Sequence, residues 1–179
     1  GRFKGKKLLL PSLETTRSTK AILKLSYFNT IQFDIVESVF VEVFAGSGSI
    51  GLEALSRGAK EAYFIEKDRL AFEALKKNCD SLKELKSVCI KGDAFVELPK
   101  ITQWLKDGAF FYFDPPFDIR EGMGDIYEKS IALLSSLPRS KVKLAAYEHI
   151  SSFQMPKTIG DFELSKTKTF GNSAISFYA

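Results

Sequence analysis

Five short apolar runs recur along the chain, each followed by a stretch with helical spacing, and this alternation constrains the fold more than any other feature. The runs are 40–44, 62–65, 88–90, 110–113 and 142–147. Strands of this kind alternating with helices imply a mostly parallel, twisted sheet with helices on both faces. Between them, 19–36 reads as a helix with Leu25, Phe28, Ile31 and Ile35 on one face. A second helix follows the turn at 45–48 and is stopped by Gly58. Asp68 caps a third, and a fourth contains Trp104, expected in the core, and Pro99, expected to break or kink it. A fifth helix covers 126–137. The rhythm then changes to two strands, 162–170 and 174–178, around Gly171-Asn172, which signals an antiparallel hairpin at or near one sheet edge. Residues 1–11 read as a small basic hairpin or extended arm. The chain thus divides into a basic extension, 1–36, and a larger unit, 37–179, expected to form one compact body.

The net charge of +4 conceals an asymmetry. Residues 1–24 hold seven Lys or Arg against Glu14 alone, so the remainder is faintly acidic. A polyanion such as nucleic acid and a plain solvated lysine face both account for such an arm. With one histidine and two cysteines, Cys79 and Cys89, the chain has no multi-His metal site, no His-based triad and no disulfide framework in prospect. His149 and the two thiols are expected to be structural. No apolar run reaches the ~18 residues of a membrane span, and no apolar leader opens the chain, so a reducing cytoplasmic setting is the expectation.

Ligands of doubly wound sheets bind beyond the carboxyl ends of the strands. The first strand ends in Gly46-Ser47-Gly48-Ser49-Ile50-Gly51, which fits G-x-G-x-x-G between a strand and a helix, and Glu66 lies 20 residues beyond Gly46. A carboxylate there suits ribose hydroxyls. Glu42 is an acid inside an apolar strand, which needs a partner. Local backbone N–H groups are one; the cationic amino-acid end of a cofactor such as S-adenosylmethionine is another. Asp93 suits an adenine amino group or the N-cap of the next helix, and the two are compatible. Asp114-Pro115-Pro116-Phe117 follows the fourth strand directly. Proline ends the strand and restricts the residue before it, so the Asp114 carboxylate and Pro115 carbonyl form two stiff acceptors suited to an exocyclic amino group. Phe117 offers a face for base stacking.

These motifs together resemble the amino-directed S-adenosylmethionine-dependent methyltransferases of nucleic acids. The stretch 44–59, FAGSGSIGLEALSRGA, is similar to the RsmD family, bacterial enzymes that methylate N2 of a guanine in 16S ribosomal RNA. RFKGKKL at 2–8 resembles that family's basic N-terminal hairpin, and Thr16-Arg17-Ser18-Thr19, Phe28-Asn29, Phe64-Ile65-Glu66-Lys67-Asp68, Lys77-Asn78, Tyr147-Glu148 and the terminal hairpin follow its pattern. Ser18 stands where the family has proline, and Ala21, Ile22, Lys24 and Leu25 replace its usual charged residues.

The resemblance implies a Rossmann-like class I methyltransferase fold. It implies S-adenosylmethionine held by Glu42, Phe44, Ala45, Gly46, Ser47, Gly48, Glu66, Lys67, Asp93 and Ala94, and catalysis at Asp114, Pro115, Pro116 and Phe117. It implies RNA contacts from Arg2, Lys4, Lys6, Lys7, Arg17 and Thr19, with 16S RNA or an assembling small subunit as partner. Arg120, in the loop after Phe117, suits an RNA phosphate or a solvated surface, no metal or membrane is expected, and the small size with a single set of site residues permits a monomer. Phe3 is expected to pack within the arm. An N6-adenine methyltransferase shares the Asp-Pro-Pro-aromatic motif and is the nearest alternative. A nicotinamide-dependent oxidoreductase leaves Asp114–Phe117 without a role. A non-catalytic RNA-binding assembly factor leaves two complete motifs unused.

Overall fold

The computed structural model describes residues 1–9, 17–83, 85–116 and 125–179; the side chains of Arg17 and Ser18 also lie outside this set. Five α-helices, α1 (Arg17–Thr30), α2 (Ser49–Ser56), α3 (Arg69–Asp80), α4 (Ala94–Trp104) and α5 (Ile126–Ser135), accompany eight strands. The strands are β1 (Val39–Glu42), β2 (Glu61–Glu66), β3 (Ser87–Lys91), β4 (Ala109–Phe113), β5 (Val142–Ile150), β6 (Thr158–Ile159), β7 (Phe162–Phe170) and β8 (Ser173–Tyr178). They form one sheet in the order β3-β2-β1-β4-β5-β8-β7-β6. The first five are parallel, whereas β8 runs antiparallel to both β5 and β7. The order reverses between β1 and β4, so the carboxyl ends of those two strands flank the switch point where ligands of such sheets bind.

Side chains alternate across a strand, and that alternation sorts the core into two layers. Phe40, Phe64, Phe110, Tyr112, Ala146, Ile175 and Phe177 pack with α1, α2 and α3. Val41, Ile65, Phe111, Phe113, Ala145, Tyr147 and Tyr178 pack with α4 and α5 on the other side. Glu42, Asp114 and Glu148 share parity with Phe40, Tyr112 and Ala146, so the sheet presents all three on the side that α1 covers.

Several expectations change. The first helix ends at Thr30, and turns lead on to β1. Helix α4 runs through Pro99 instead of breaking there. Trp104 is 58% exposed, not a core residue, because the buried face of α4 is filled by Ala94, Leu98, Ile101 and Thr102. Residues 1–9 of the arm hold two successive turns and an extended piece, with no strand among these described residues, and residues 10 and 11 lie outside the described set. The arm's backbone groups are spent elsewhere: Arg2 N–H donates to Ser56 O (2.8 Å), Phe3 N–H to Ser56 Oγ (2.9 Å) and Leu9 N–H to Asn78 Oδ1 (2.8 Å). Phe3 packs against the core, not only within the arm. No helix among the described residues is long and apolar enough to cross a membrane.

Candidate active site

The turn after β1 is shaped by its glycines. Gly46 and Gly48 have φ of 53° and 80°, a region that side-chain-bearing residues avoid. Nothing lies within 4 Å of the place a Cβ on Gly46 would occupy, so the backbone faces open space at the head of α2. Gly51 is required by packing: a Cβ there would stand 2.4 Å from the Phe64 ring and 3.0 Å from Glu42 Oε2. That close approach lets Gly51 N–H donate to Glu42 Oε2 at 2.8 Å. Glu42, 4% exposed, therefore has the local backbone partner that the sequence allowed. Burial nonetheless pushes its carboxyl up to about 8, helped by Asp114 and only partly opposed by the backbone donors.

Glu66 closes the other side of the turn. Its Oε2 accepts from Gly46 N–H and its Oε1 from Asp68 N–H, each at 2.7 Å. Asp68 caps α3 through Ala71 N–H (2.8 Å), as expected. Asp93 caps α4 through Phe95 N–H (3.0 Å), and its other oxygen meets Lys67 Nζ at 2.8 Å. The hydrogen bond from Lys67 holds the Asp93 carboxyl below its usual range. Ala94 begins α4, and Ala45, with N–H bonded to Ile65 O at 2.8 Å, ties the turn back to β2. Phe44 is half-buried and packs edge-on against Phe95, 6.1 Å between centroids. Ser47 is nearly buried, and its carbonyl accepts from Asn78 Nδ2 at 2.9 Å.

Asp114 leaves the end of β4 beside this turn, followed by a buried Pro115 and an exposed Pro116. Lys20 of α1 lies against it, Nζ to Oδ2 3.4 Å. Burial raises the Asp114 carboxyl, and the Lys20 ammonium opposes that rise. Beneath them Tyr112 donates to Glu148 Oε2 at 2.8 Å, and Glu148 Oε1 is 4.0 Å from Lys20 Nζ. Phe117 and Arg120 lie outside the described residues, as does the side chain of Arg17; Thr19 is in the first turn of α1. Arg2, Lys4, Lys6 and Lys7 are exposed, with Lys6 Nζ 2.5 Å from Ser81 O. His149 is buried and structural, bonded to Ile150 O and Ser176 Oγ at 2.9 Å each. The Cys79 and Cys89 thiols are free and touch each other at 3.2 Å. No cluster of three or more metal-ligating side chains occurs among the described residues.

Reading the sequence for its site missed Lys20 and Tyr112, and left Glu148 and Asn78 as pattern matches without roles. The signal for Tyr112 and Glu148 was strand parity with Asp114. For Lys20 there was none, since its meeting with Asp114 depends on how α1 crosses the sheet.

A family model described as "Conserved hypothetical protein 95" matches residues 1–179. The chain is 31% identical to ribosomal RNA small subunit methyltransferase D of Haemophilus influenzae over 184 residues, covering 99% of this chain and 90% of that protein. It is 34% identical to the Escherichia coli protein of the same name over 134 residues, 75% of this chain and 64% of that protein. The solved structure of Escherichia coli YhhF superposes with a TM-score of 0.75 at 29% identity, covering 99% of this chain and 93% of that one. T. thermophilus RsmC, a 16S rRNA N2 G1207 methyltransferase solved with AdoMet and guanosine, shares the fold at 14% identity and a TM-score of 0.65, over 98% of this chain and 44% of that one. A full-length family match, a close superposition and motifs set at the switch point of one sheet agree: the chain belongs to the RsmD family.

Proposed function

We propose that this chain transfers the methyl group of S-adenosylmethionine to the exocyclic N2 of a guanine in 16S ribosomal RNA, free or in an assembling small subunit. It does so in the cytoplasm, as a monomer. The observation that carries the reading is the position of Asp114-Pro115 at the carboxyl end of β4, next to the open glycine turn after β1. A nucleotide-like cofactor and an amino group meet naturally at such a place.

The residues present fit the cofactor. Gly46 leaves open space where any side chain would intrude, Glu66 accepts from its N–H, Asp93 and Ala94 open α4 after β3, and the Glu42 carboxyl lies under the turn on Gly51 N–H. When bound, S-adenosylmethionine supplies an electrophilic methyl group on a sulfonium. Guanine N2 is a poor nucleophile because its lone pair is delocalised into the ring. Asp114 and the Pro115 carbonyl accept its two N–H groups and hold the nitrogen in line, so the protein contributes mainly position. The Lys20 ammonium opposes the rise that burial causes in the Asp114 carboxyl. After transfer the N2 proton is acidic and leaves to Asp114 or water. A paired guanine reaches this site by leaving its stack, and Phe117 stacks on it. Lys4, Lys6, Lys7, Arg2, Arg17, Thr19 and Arg120 hold RNA phosphates.

Incubating undermethylated small-subunit RNA and particles with radiolabelled cofactor, followed by nucleoside mass spectrometry, should yield N2-methylguanosine at one position. Label in N6-methyladenosine alone would overturn the assignment. Asp114→Ala should lower kcat/KM by roughly a hundredfold or more while leaving calorimetric cofactor affinity within about twofold, by analogy with the loss of one preorganised hydrogen-bonding group at other transition states.

A further inference from the structure

Glu148 has one oxygen that accepts no hydrogen bond in the described structure and faces only the Lys20 ammonium, 4.0 Å away. The residue is 3% exposed, its Oε2 accepts from Tyr112, and its Oε1 is buried with no hydrogen-bond partner. A buried carboxylate oxygen left without a donor is costly, and native structures rarely tolerate one without a reason. The direction of that oxygen is fixed by its neighbours. Lys20 Nζ is 4.0 Å from Glu148 Oε1 and 3.4 Å from Asp114 Oδ2, so the ammonium stands in a gap between two carboxylates. The Lys20 side chain is 53% exposed and can leave that gap.

We propose that Glu148 reads the target base: its unpaired oxygen accepts N1–H of the guanine whose N2 amino group Asp114 holds. The inference rests on the guanine-N2 reading above and adds a residue that selects the base. Guanine presents N1–H and N2–H side by side, two adjacent donors that match two carboxylates, and a base out of its stack is read along this edge. Adenine presents its amino group next to N1, which carries a lone pair and no hydrogen. A carboxylate facing that lone pair repels it. Lys20 occupies the donor position in the free protein and gives it up to the base. The hydrogen bond from Tyr112 fixes the rotation of the Glu148 carboxyl, so that Oε1 and not Oε2 faces the gap.

The groups facing Glu148 are Asp114 after β4, Lys20 of α1, Tyr112 of β4 and Tyr127 of α5. Burial and Asp114 raise its carboxyl to about 7, against the opposing pull of Lys20 and Tyr112. An N1–H donor in the gap favours the ionised form.

The test uses small-subunit RNA ligated to carry guanine or 2-aminopurine at the methylated nucleotide. Both bases have the N2 amino group; 2-aminopurine lacks N1–H. Wild-type enzyme should favour guanine in kcat/KM by about tenfold or more, the usual worth of a hydrogen bond to a charged group. Glu148→Gln can turn an amide N–H toward N1, so its ratio should approach one. A variant that binds S-adenosylmethionine normally yet keeps the wild-type ratio would refute the role. If Glu148→Gln does not fold, the wild-type ratio measured from pH 8.5 to 5.5 decides: it should fall as Glu148 gains a proton and becomes a donor, and a flat profile overturns the proposal. Failure of wild-type enzyme to methylate the guanine RNA at all would instead sink the guanine-N2 reading itself.

Discussion

Glu42 shows how a single buried acid couples stability to pH. Its carboxyl is raised from 4.5 to about 8, chiefly by burial, so the folded protein holds that proton more tightly than the unfolded chain does. The stability this gives is complete below the unfolded value of 4.5 and is lost as pH rises through about 8. Glu42→Gln retains an acceptor for Gly51 N–H and removes the charge. Its Tm in cofactor-free protein should lie close to wild type near pH 5 and exceed it by roughly 10 °C or more at pH 9. Parallel melting profiles across that range would remove Glu42 as the cause. The need of Glu42 for a partner was legible in the sequence because an acid inside an apolar strand is conspicuous. Glu148 was less visible: it ends a longer run whose burial depends on β8 pairing beyond it, with Glu148 opposite Ile175.

Helix α3 works as a clamp, through one residue. Asn78, buried, donates to Ser47 O in the glycine turn and to Leu9 O, and accepts from Leu9 N–H. It therefore fixes the arm and the turn to the same helix. Asn78→Ala strands three backbone groups, a cost of about 2–3 kcal/mol, which in a chain of this length should lower Tm by roughly 5–10 °C. Calorimetry should also show weaker S-adenosylmethionine binding, and unchanged affinity would mean that the turn holds its shape without the clamp. The elements themselves were readable: strand–helix alternation, the caps Asp68 and Asp93, and the closing hairpin all depend on local pattern. The arm was not, because its backbone groups bond to Ser56 and Asn78, tens of residues away, and no local spacing encodes that choice. Trp104 was misplaced for a related reason: its helix already fills its buried face with smaller side chains.

At the scale of the molecule, the charge asymmetry acquires a location. The arm runs over the carboxyl ends of α2 and α3, and Lys4 and Lys7 are exposed there, while Lys6 leans on the Ser81 carbonyl. Neutralising Lys4, Lys6 and Lys7 together should weaken RNA binding and reduce the slope of log K against log salt by about 2 or more. An unaltered slope would return the arm to a solvated surface. The sheet order carries a consequence in time. β8 is made after β7 but lies inside it, between β7 and β5. As the polypeptide emerges from the ribosome, β5 has an open edge and β7 has only the two-residue β6 beside it until β8 arrives and closes both. A nascent chain stalled before residue 173 thus exposes two unpaired edges, which are templates for aggregation. Only a chain translated through β8 seals the strand that carries Glu148, so a product cut short of it leaves that strand's edge open beside the candidate site.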